Sequence, residues 1–515
     1  MNPARTFWRR VLTLTLALGL LSAAPAVAQQ TAAQSQPAAP KAQPHRPRIS
    51  ARDAQELLRS VDQIVKFVSE ETNLPLRQPV KRELASADQV KALFRERLRD
   101  GKESQRLERS EAVLKKLGLV PRDFNLRTFF EDLMEEQVAG FYDERTRVVY
   151  LLDWVEAWEQ RPVLAHELTH ALQDQAIGLK KWTEAAENEE DVVEKKPDSE
   201  EEGFEVRTEE ATMARTALME GQAMFVLIDY LYAPSGQSLS TNPLLAAPFK
   251  VAATDSPQYP VLKSAPFYLK ESLSFPYTYG LGFVQELLLK GGRAKAFAGA
   301  LRDPPRNTRD IMTPRSYFSR ERVPAFHVPA LKPLLGPGYE RFDVGTLGQF
   351  DVHVMLEQFA DGKSAKRLAP AWRGGFYYAA RKLPEKEVAT SPAPRAPAAG
   401  DAKEEGGEAQ PPVAPESLAL VYLSRWDSPE SAAKFATFYG DALLQRYRFA
   451  QGVDEATAKP AAPPPARRKW TTDAGAVFIE QRGEWVLALE SFDEATAGRV
   501  ADAILAGAKT IPDKP

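Results

Sequence analysis

The 515-residue chain contains no cysteine. That single absence excludes disulfide frameworks, thiolate zinc sites, cysteine nucleophiles and a lipid-modified cysteine anchor. Any transition-metal site must then be built from His, Asp and Glu. Histidine is scarce as well, with five in the whole chain. No charge of one sign dominates: 67 Lys and Arg against 70 Asp and Glu leave a formal net charge of -3. Neither nucleic acid nor an anionic membrane surface is therefore an expected partner. A long apolar run occurs only near the start, where Arg5, Arg9 and Arg10 accompany the stretch Val11 to Leu21 and the small-residue site Ala26-Val27-Ala28. This is the pattern of a cleaved export signal over residues 1–28, and the run is short for a spanning helix. The mature protein is expected outside the cytoplasm, periplasmic or extracellular, with no stable membrane span.

Proline is abundant, 40 residues, and it clusters. Residues 29–50 are rich in Pro, Ala and Gln and read as a linker, and Pro/Ala-rich loops are expected near 391–415 and 456–466. With 43% hydrophobic residues, the chain can fill two ordinary cores. A first domain is placed at 51–343. Leu57, Leu58, Val61, Ile64, Val65 and Val68 recur at helical spacing, and Ser86 with Gln89 makes a capping box for the next helix. Phe141-Tyr142 and Arg147 to Leu152 flank a polar turn and predict a hairpin. A helix follows with Pro162 placed in its first turn and Gly178 just past its end. Glu184 to Glu205 reads as an acidic solvated loop, and a helix is expected from about Thr208 to Tyr232. Further helices are expected at Gly280 to Lys290 and Val352 to Phe359. From 344 to 515, strand-like runs at Phe376 to Ala380, Leu418 to Leu423, Ala476 to Glu480 and Trp485 to Leu489 alternate with helical ones, which predicts a smaller α+β accessory domain of unassigned partner.

One motif carries chemistry: His166-Glu167-Leu168-Thr169-His170. Residues four apart on a helix project from nearly one side, so two imidazoles can hold one ion. Glu167, about 100° of rotation from His166, sits beside that ion without ligating it. Leu164, Leu168 and Leu172 form a packing stripe on the far side. Catalytic zinc takes three protein ligands, so one is missing. His327 and His353 lie in sequences without a ligand pattern. Glu220 is the better candidate, because its helix is apolar nearly all round and a buried carboxylate is costly unless paired or metal-bound. Pairing with a buried Arg is the structural alternative. Ala217, Gly221 and Ala223 are small enough to let another helix, expected to be the HELTH helix, come close. Asp229 is read as structurally paired.

The segment HELTHALQDQ, His166 to Gln175, resembles the active-site helix of thermolysin-like gluzincins. The wider text GFYDERTRVVYL, VLAHELTHALQDQ, ALMEGQA and PYTYGLGF resembles a group of secreted bacterial zinc metallopeptidases over residues 51–343. The resemblance implies Glu220 as third zinc ligand and the strand Val148 to Leu152 as the sheet edge that aligns substrate. It also implies Asp174 as the residue orienting an imidazole, unless Asp174 is simply solvated. Where those relatives carry a His before a Pro, this chain has Met312-Thr313-Pro314. The expected fold is α+β: a zincin-like catalytic domain, with a small twisted sheet against the active-site helix and a mainly helical remainder, followed by the smaller domain. The expected activity is peptide hydrolysis by one zinc ion held by His166, His170 and Glu220, with Glu167 as general base. Tyr277 or Tyr279 is the candidate oxyanion donor, each with the alternative of a packed aromatic. Two other readings use the same ligands: a catalytically silent, zinc-stabilised envelope binding protein, and hydrolysis of a non-peptide amide such as cell-wall material.

Overall fold

The computed structural model describes residues 49–98, 101–137, 140–188, 192–195, 202–207, 210–253, 259–384, 415–453 and 467–511. The expected signal at 1–28, nearly all of the linker at 29–50, and almost the whole of both Pro/Ala-rich loops lie outside the described residues. The architecture mixes helix and sheet, in keeping with the α+β expectation.

The first half is helical around a three-stranded sheet. Helix α1 (Ala51–Thr72) is capped by Ser50, whose hydroxyl accepts from the Asp53 N–H at 3.1 Å, and it buries Leu57, Val61, Ile64, Val65 and Val68. Strand β1 (Lys81–Ala85) leads to α2 (Ala87–Leu98), whose capping box forms: the Ser86 N–H donates to Gln89 and the Gln89 N–H to Ser86. Helices α3 (Gly101–Lys116) and α4 (Leu126–Gln137) precede the hairpin of β2 (Phe141–Asp143) and β3 (Val148–Leu152), which pair antiparallel as expected. The sheet order is β1-β3-β2, with β1 parallel to β3. Val148 to Leu152 is therefore the central strand and not the edge expected from the resemblance. The side of β3 that would be free in an isolated hairpin is taken by β1, more than 60 residues earlier.

Helix α5 (Ala157–Ile177) carries the HELTH motif. It begins before the position expected, so Pro162 lies in its second turn, and Gly178 caps it in the left-handed region at φ 69°. Gln160 ties α5 to the sheet by accepting from the Leu152 N–H and donating to the Leu152 and Val155 carbonyls. After α6 (Leu179–Asn188), the acidic stretch is not simply a loop. Strands β4 (Val192–Lys195) and β5 (Gly203–Val206) pair antiparallel within it, and buried Phe204 and Val206 supply the apolar face its overall charge concealed. Helix α7 (Ala211–Tyr232) crosses α8 (Phe267–Ala294), which starts well before the expected Gly280 and kinks at Gly292. A π-helical turn, Lys295–Gly299, follows.

The rest alternates strands with helices, among them Gln349–Phe359, which covers the expected Val352 to Phe359, and Pro429–Arg446. After β6 (Phe326–Pro329), a seven-stranded antiparallel sheet is built from β7 (Tyr339–Gly345), β8 (Trp372–Lys382), β9 (Leu418–Trp426), β10 (Ala450–Gly452), β11 (Arg467–Thr472), β12 (Gly475–Arg482) and β13 (Trp485–Glu490), in the order β10-β11-β12-β13-β9-β8-β7. Period-2 alternation splits its faces. Tyr377, Ala379, Leu420 and Tyr422 join the large core that also holds Leu57, Leu168 and Phe225. Phe376, Tyr378, Val421 and Leu423 face a second core with β5, β6 and helix α9 (Glu494–Gly507). Strand β14 (Lys509–Thr510) then pairs with β6, completing a sheet of order β14-β6-β5-β4.

The proposed boundary at 343/344 falls inside β7, and residues on both sides of it share both cores. A buried polar cluster crosses it as well. Lys116 Nζ donates to Ser491 Oγ at 2.7 Å, and Arg446 reaches the Lys116 carbonyl and Glu490, both at 2.8 Å. The Tyr439 and Tyr447 hydroxyls donate to Glu490 at 2.6 Å each. Burial lowers the Lys116 ammonium to about 8 despite the opposing pull of Glu490.

Candidate metal centre

His166 and His170 come from one face of α5, as their spacing requires, and Glu220 comes from the middle of α7. His166 Nε2 lies 3.1 Å from Glu220 Oε2, His170 Nε2 lies 3.4 Å from the same oxygen, and the two Nε2 atoms are 3.1 Å apart. Among the described residues these three form the one His/Asp/Glu group close enough to hold a metal ion. His327 sits on β6 opposite Glu205, and His353 pairs with Glu357 at 3.3 Å, so neither joins it. The alternative partner for Glu220, a buried Arg, is not what the carboxylate meets. Asp229 is structurally engaged, accepting from Ser238 Oγ and the Leu239 N–H.

The donor set fits a zinc ion. Ligands on a tetrahedral zinc with bonds of about 2.0–2.1 Å stand roughly 3.3–3.4 Å from one another, close to the three separations above. Two imidazole nitrogens 3.1 Å apart need a proton or a cation between their lone pairs. Glu220 Oε1 is buried without a hydrogen-bond partner, as is His166 Nδ1; a coordinated carboxylate accounts for the first.

The electrostatics agree. Burial disfavours the charged form of His170, yet the Glu220 carboxylate outweighs it and raises the imidazole to about 9. Burial likewise opposes ionisation of Glu220, but His170 and His166 hold it down at about 2. Without a metal, then, the trio keeps a proton as its cation. Glu167 behaves differently: burial raises its pKa, with the histidines acting against the rise. Its Oε2 accepts from the Tyr142 N–H of β2 at 2.8 Å, which places the edge strand of the sheet, not the central one, beside the motif.

Of the two candidate tyrosines, Tyr277 is at the site. Its ring lies 6.4 Å from that of His166, and it is near enough to Glu220 for that carboxylate to act on its hydroxyl. Burial, then the Glu220 and Glu167 charges, push its pKa well above the ordinary value, so it stays a neutral donor. Tyr279 points elsewhere, stacking on Phe275 and facing His353. The helical face explains the choice: Tyr277 is one turn before Gly280, where α8 presses on α7.

That contact corrects another expectation. A Cβ on Gly221 would lie 2.3 Å from the Gly280 carbonyl carbon, and one on Gly280 would lie 2.0 Å from Ala217 O. The small residues of α7 thus admit α8, which brings Tyr277, and not the HELTH helix. Asp174 does not orient an imidazole either. Its carboxylate accepts from Tyr142 Oη and the Leu179 N–H, closing the end of α5. Gln173 contacts His170 instead, through Oε1 at 2.9 Å from Nδ1. Sequence reasoning passed over Gln173; its three-residue spacing from His170 was the available signal. Thr313, where a His was missed, hydrogen-bonds Gln349 and no residue of this site.

Residues 121–199 match the family model Peptidase_M78, the IrrE N-terminal-like domain. The matched stretch spans the β2–β3 hairpin and all of α5, and ends before Glu220 and Tyr277. It supports a metallopeptidase-like character for this part of the chain. No curated protein and no solved structure matches. Among the described residues, no helix is long and apolar enough to cross a membrane.

Proposed function

We propose that the protein is a zinc-dependent peptidase of the gluzincin kind, acting on protein or peptide substrates outside the cytoplasm. The observation that carries this reading is the meeting of His166, His170 and Glu220 at metal-ligand spacing, with the Glu167 carboxylate alongside. Two imidazoles and a carboxylate, with no thiolate in the chain, suit zinc. Bound there, zinc would supply a Lewis acid for the scissile carbonyl and lower the pKa of water toward neutrality. Glu167 is the general base. Burial raises its proton affinity, and the Tyr142 N–H fixes one oxygen, leaving the other to take a proton from water and pass it to the leaving amine. Tyr277, neutral and beside the donors, is the candidate to stabilise an oxyanion. The basic, apolar and small-residue order of residues 1–28 supports export.

A second reading, a catalytically silent zinc-stabilised envelope protein, is favoured by the depth of the site. His166, Glu167, His170 and Glu220 are each at most 5% exposed, so they offer little surface to a peptide. The two readings separate at Glu167→Gln. A peptidase keeps its zinc while hydrolysis of a mixed peptide library falls about 10²–10⁴-fold. Wild-type protein carrying stoichiometric zinc and cleaving none of that library supports the silent protein instead.

A further inference from the structure

Behind His170 runs a chain of amides that leaves the site altogether. Gln173 Oε1 lies 2.9 Å from His170 Nδ1. Gln173 Nε2 donates to the Met219 carbonyl at 3.2 Å and to Gln222 Oε1 at 2.7 Å. Gln222 Nε2 donates in turn to the carbonyls of Ala296 and Phe297, at 2.7 and 3.2 Å, in the π-helical turn after α8. Both glutamines are fully buried.

We propose that Gln173 and Gln222 are positioning residues that fix the tautomer of His170 and so aim its Nε2 lone pair at the metal. This rests on the zinc reading above. The argument runs backward from the far end. Peptide carbonyls only accept, so the Gln222 amide must turn its NH₂ toward Ala296 and Phe297. Its oxygen then faces Gln173, which must answer with its own NH₂, as the Met219 carbonyl also demands. Only the Gln173 oxygen is left for His170, so Nδ1 carries the hydrogen and Nε2 carries the lone pair. Flipping both amides would set acceptor against acceptor at Met219, Ala296 and Phe297 in a dry interior, where each lost hydrogen bond is costly. The tautomer of a residue at 170 is thus dictated by carbonyls at 296 and 297. His166 has no such support, since its Nδ1 lacks a hydrogen-bond partner and its ring lies beside Tyr277. Orientation of the pair therefore falls on His170.

The test is zinc affinity of the full chain, measured by competition with a chromophoric chelator. Gln173→Met should weaken binding about 10–100-fold, the range for lost partners of a ligating histidine. Gln222→Met should weaken it by less, and the double variant no more than Gln173→Met alone, because the two act as one relay. The non-additivity of the double variant separates relay from packing, and Gln173→Glu probes the donor side of the relay. A carboxylate still accepts the Nδ1 hydrogen but loses the donor to Met219 and Gln222, so it too should bind zinc less tightly than wild type. Thr183→Val, which removes a buried hydroxyl bond outside the relay, measures generic loss. Should Gln173→Met fail to fold, Gln222→Met decides, being one helix farther from the metal. Wild-type affinity in both single variants, wild-type affinity in Gln173→Glu, or additive losses in the double overturns the relay and leaves the zinc centre standing. Failure of wild type to bind zinc overturns both.

Discussion

Replacing Glu220 by Gln keeps the shape of the side chain and removes its charge, which isolates the electrostatic link among the three donors. In metal-free protein that link is visible from both ends: His170 rises from 6.5 to about 9, and Glu220 falls from 4.5 to about 2. At pH 7 each shift is worth roughly 3 kcal/mol. They describe one interaction from its two partners, so they are not summed, and about 3 kcal/mol is the expected loss. The sign follows from the direction of each shift. The raised histidine stabilises the fold fully below its unfolded value of 6.5, and that contribution disappears as pH rises through about 9. The depressed carboxylate stabilises above 4.5, and its contribution disappears as pH falls toward about 2. Glu220→Gln should therefore cost most between pH 4.5 and 6.5 and much less above pH 9. Urea denaturation of chelator-treated protein at pH 6 and pH 9.5 measures the difference. Zinc titration of the same variant should show a loss at least as large as the about 10–100-fold typical of disturbed neighbours. A pH-independent penalty, or zinc affinity equal to wild type, would refute the shared-cation argument.

Gly280→Ala should destabilise by at least about 1–3 kcal/mol, since its new methyl would meet Ala217 O. Zinc content should fall with it, because α8 carries Tyr277 and α7 carries Glu220; melting temperature and bound zinc report both. Ending the chain after Val344 should abolish cooperative unfolding and zinc retention, given that the cut passes through β7. A folded, zinc-bearing product would support the division at 343/344. Sequencing the N-terminus of protein secreted by its producing cell should begin at Gln29, and recovery of Met1 in membranes would rule out cleavage.

The local features were legible because local rules govern them. The capping box at Ser86 and Gln89, the left-handed Gly178 and the four-residue spacing of His166 and His170 depend on neighbours along one helix. Glu220 was legible through energetics, as a carboxylate in an apolar helix that must meet a cation. What escaped was every choice between near-equivalent neighbours that only packing decides. Gln173 and Asp174 are adjacent, and each can reach an imidazole by one turn of helix; Tyr142 and the Leu179 N–H claim the aspartate, leaving the glutamine. Tyr277 and Tyr279 differ by about 200° of rotation, so one had to face away, and the close approach at Gly280 selects the first. The small residues of α7 promised a close helix without saying which. That β3 is central follows from a partner strand more than 60 residues earlier, beyond the range of any periodicity.

The buried cluster around Lys116 sets a constraint on biogenesis. Lys116 and its partner Ser491 are 375 residues apart, and at roughly 5–20 residues per second a ribosome needs about 20–75 s to join them. Through nearly all of that interval α3 is complete while Glu490 and Ser491 do not yet exist, and Arg446 joins only 330 residues after Lys116. The Lys116 ammonium therefore waits for its buried partners until almost the whole chain has been made.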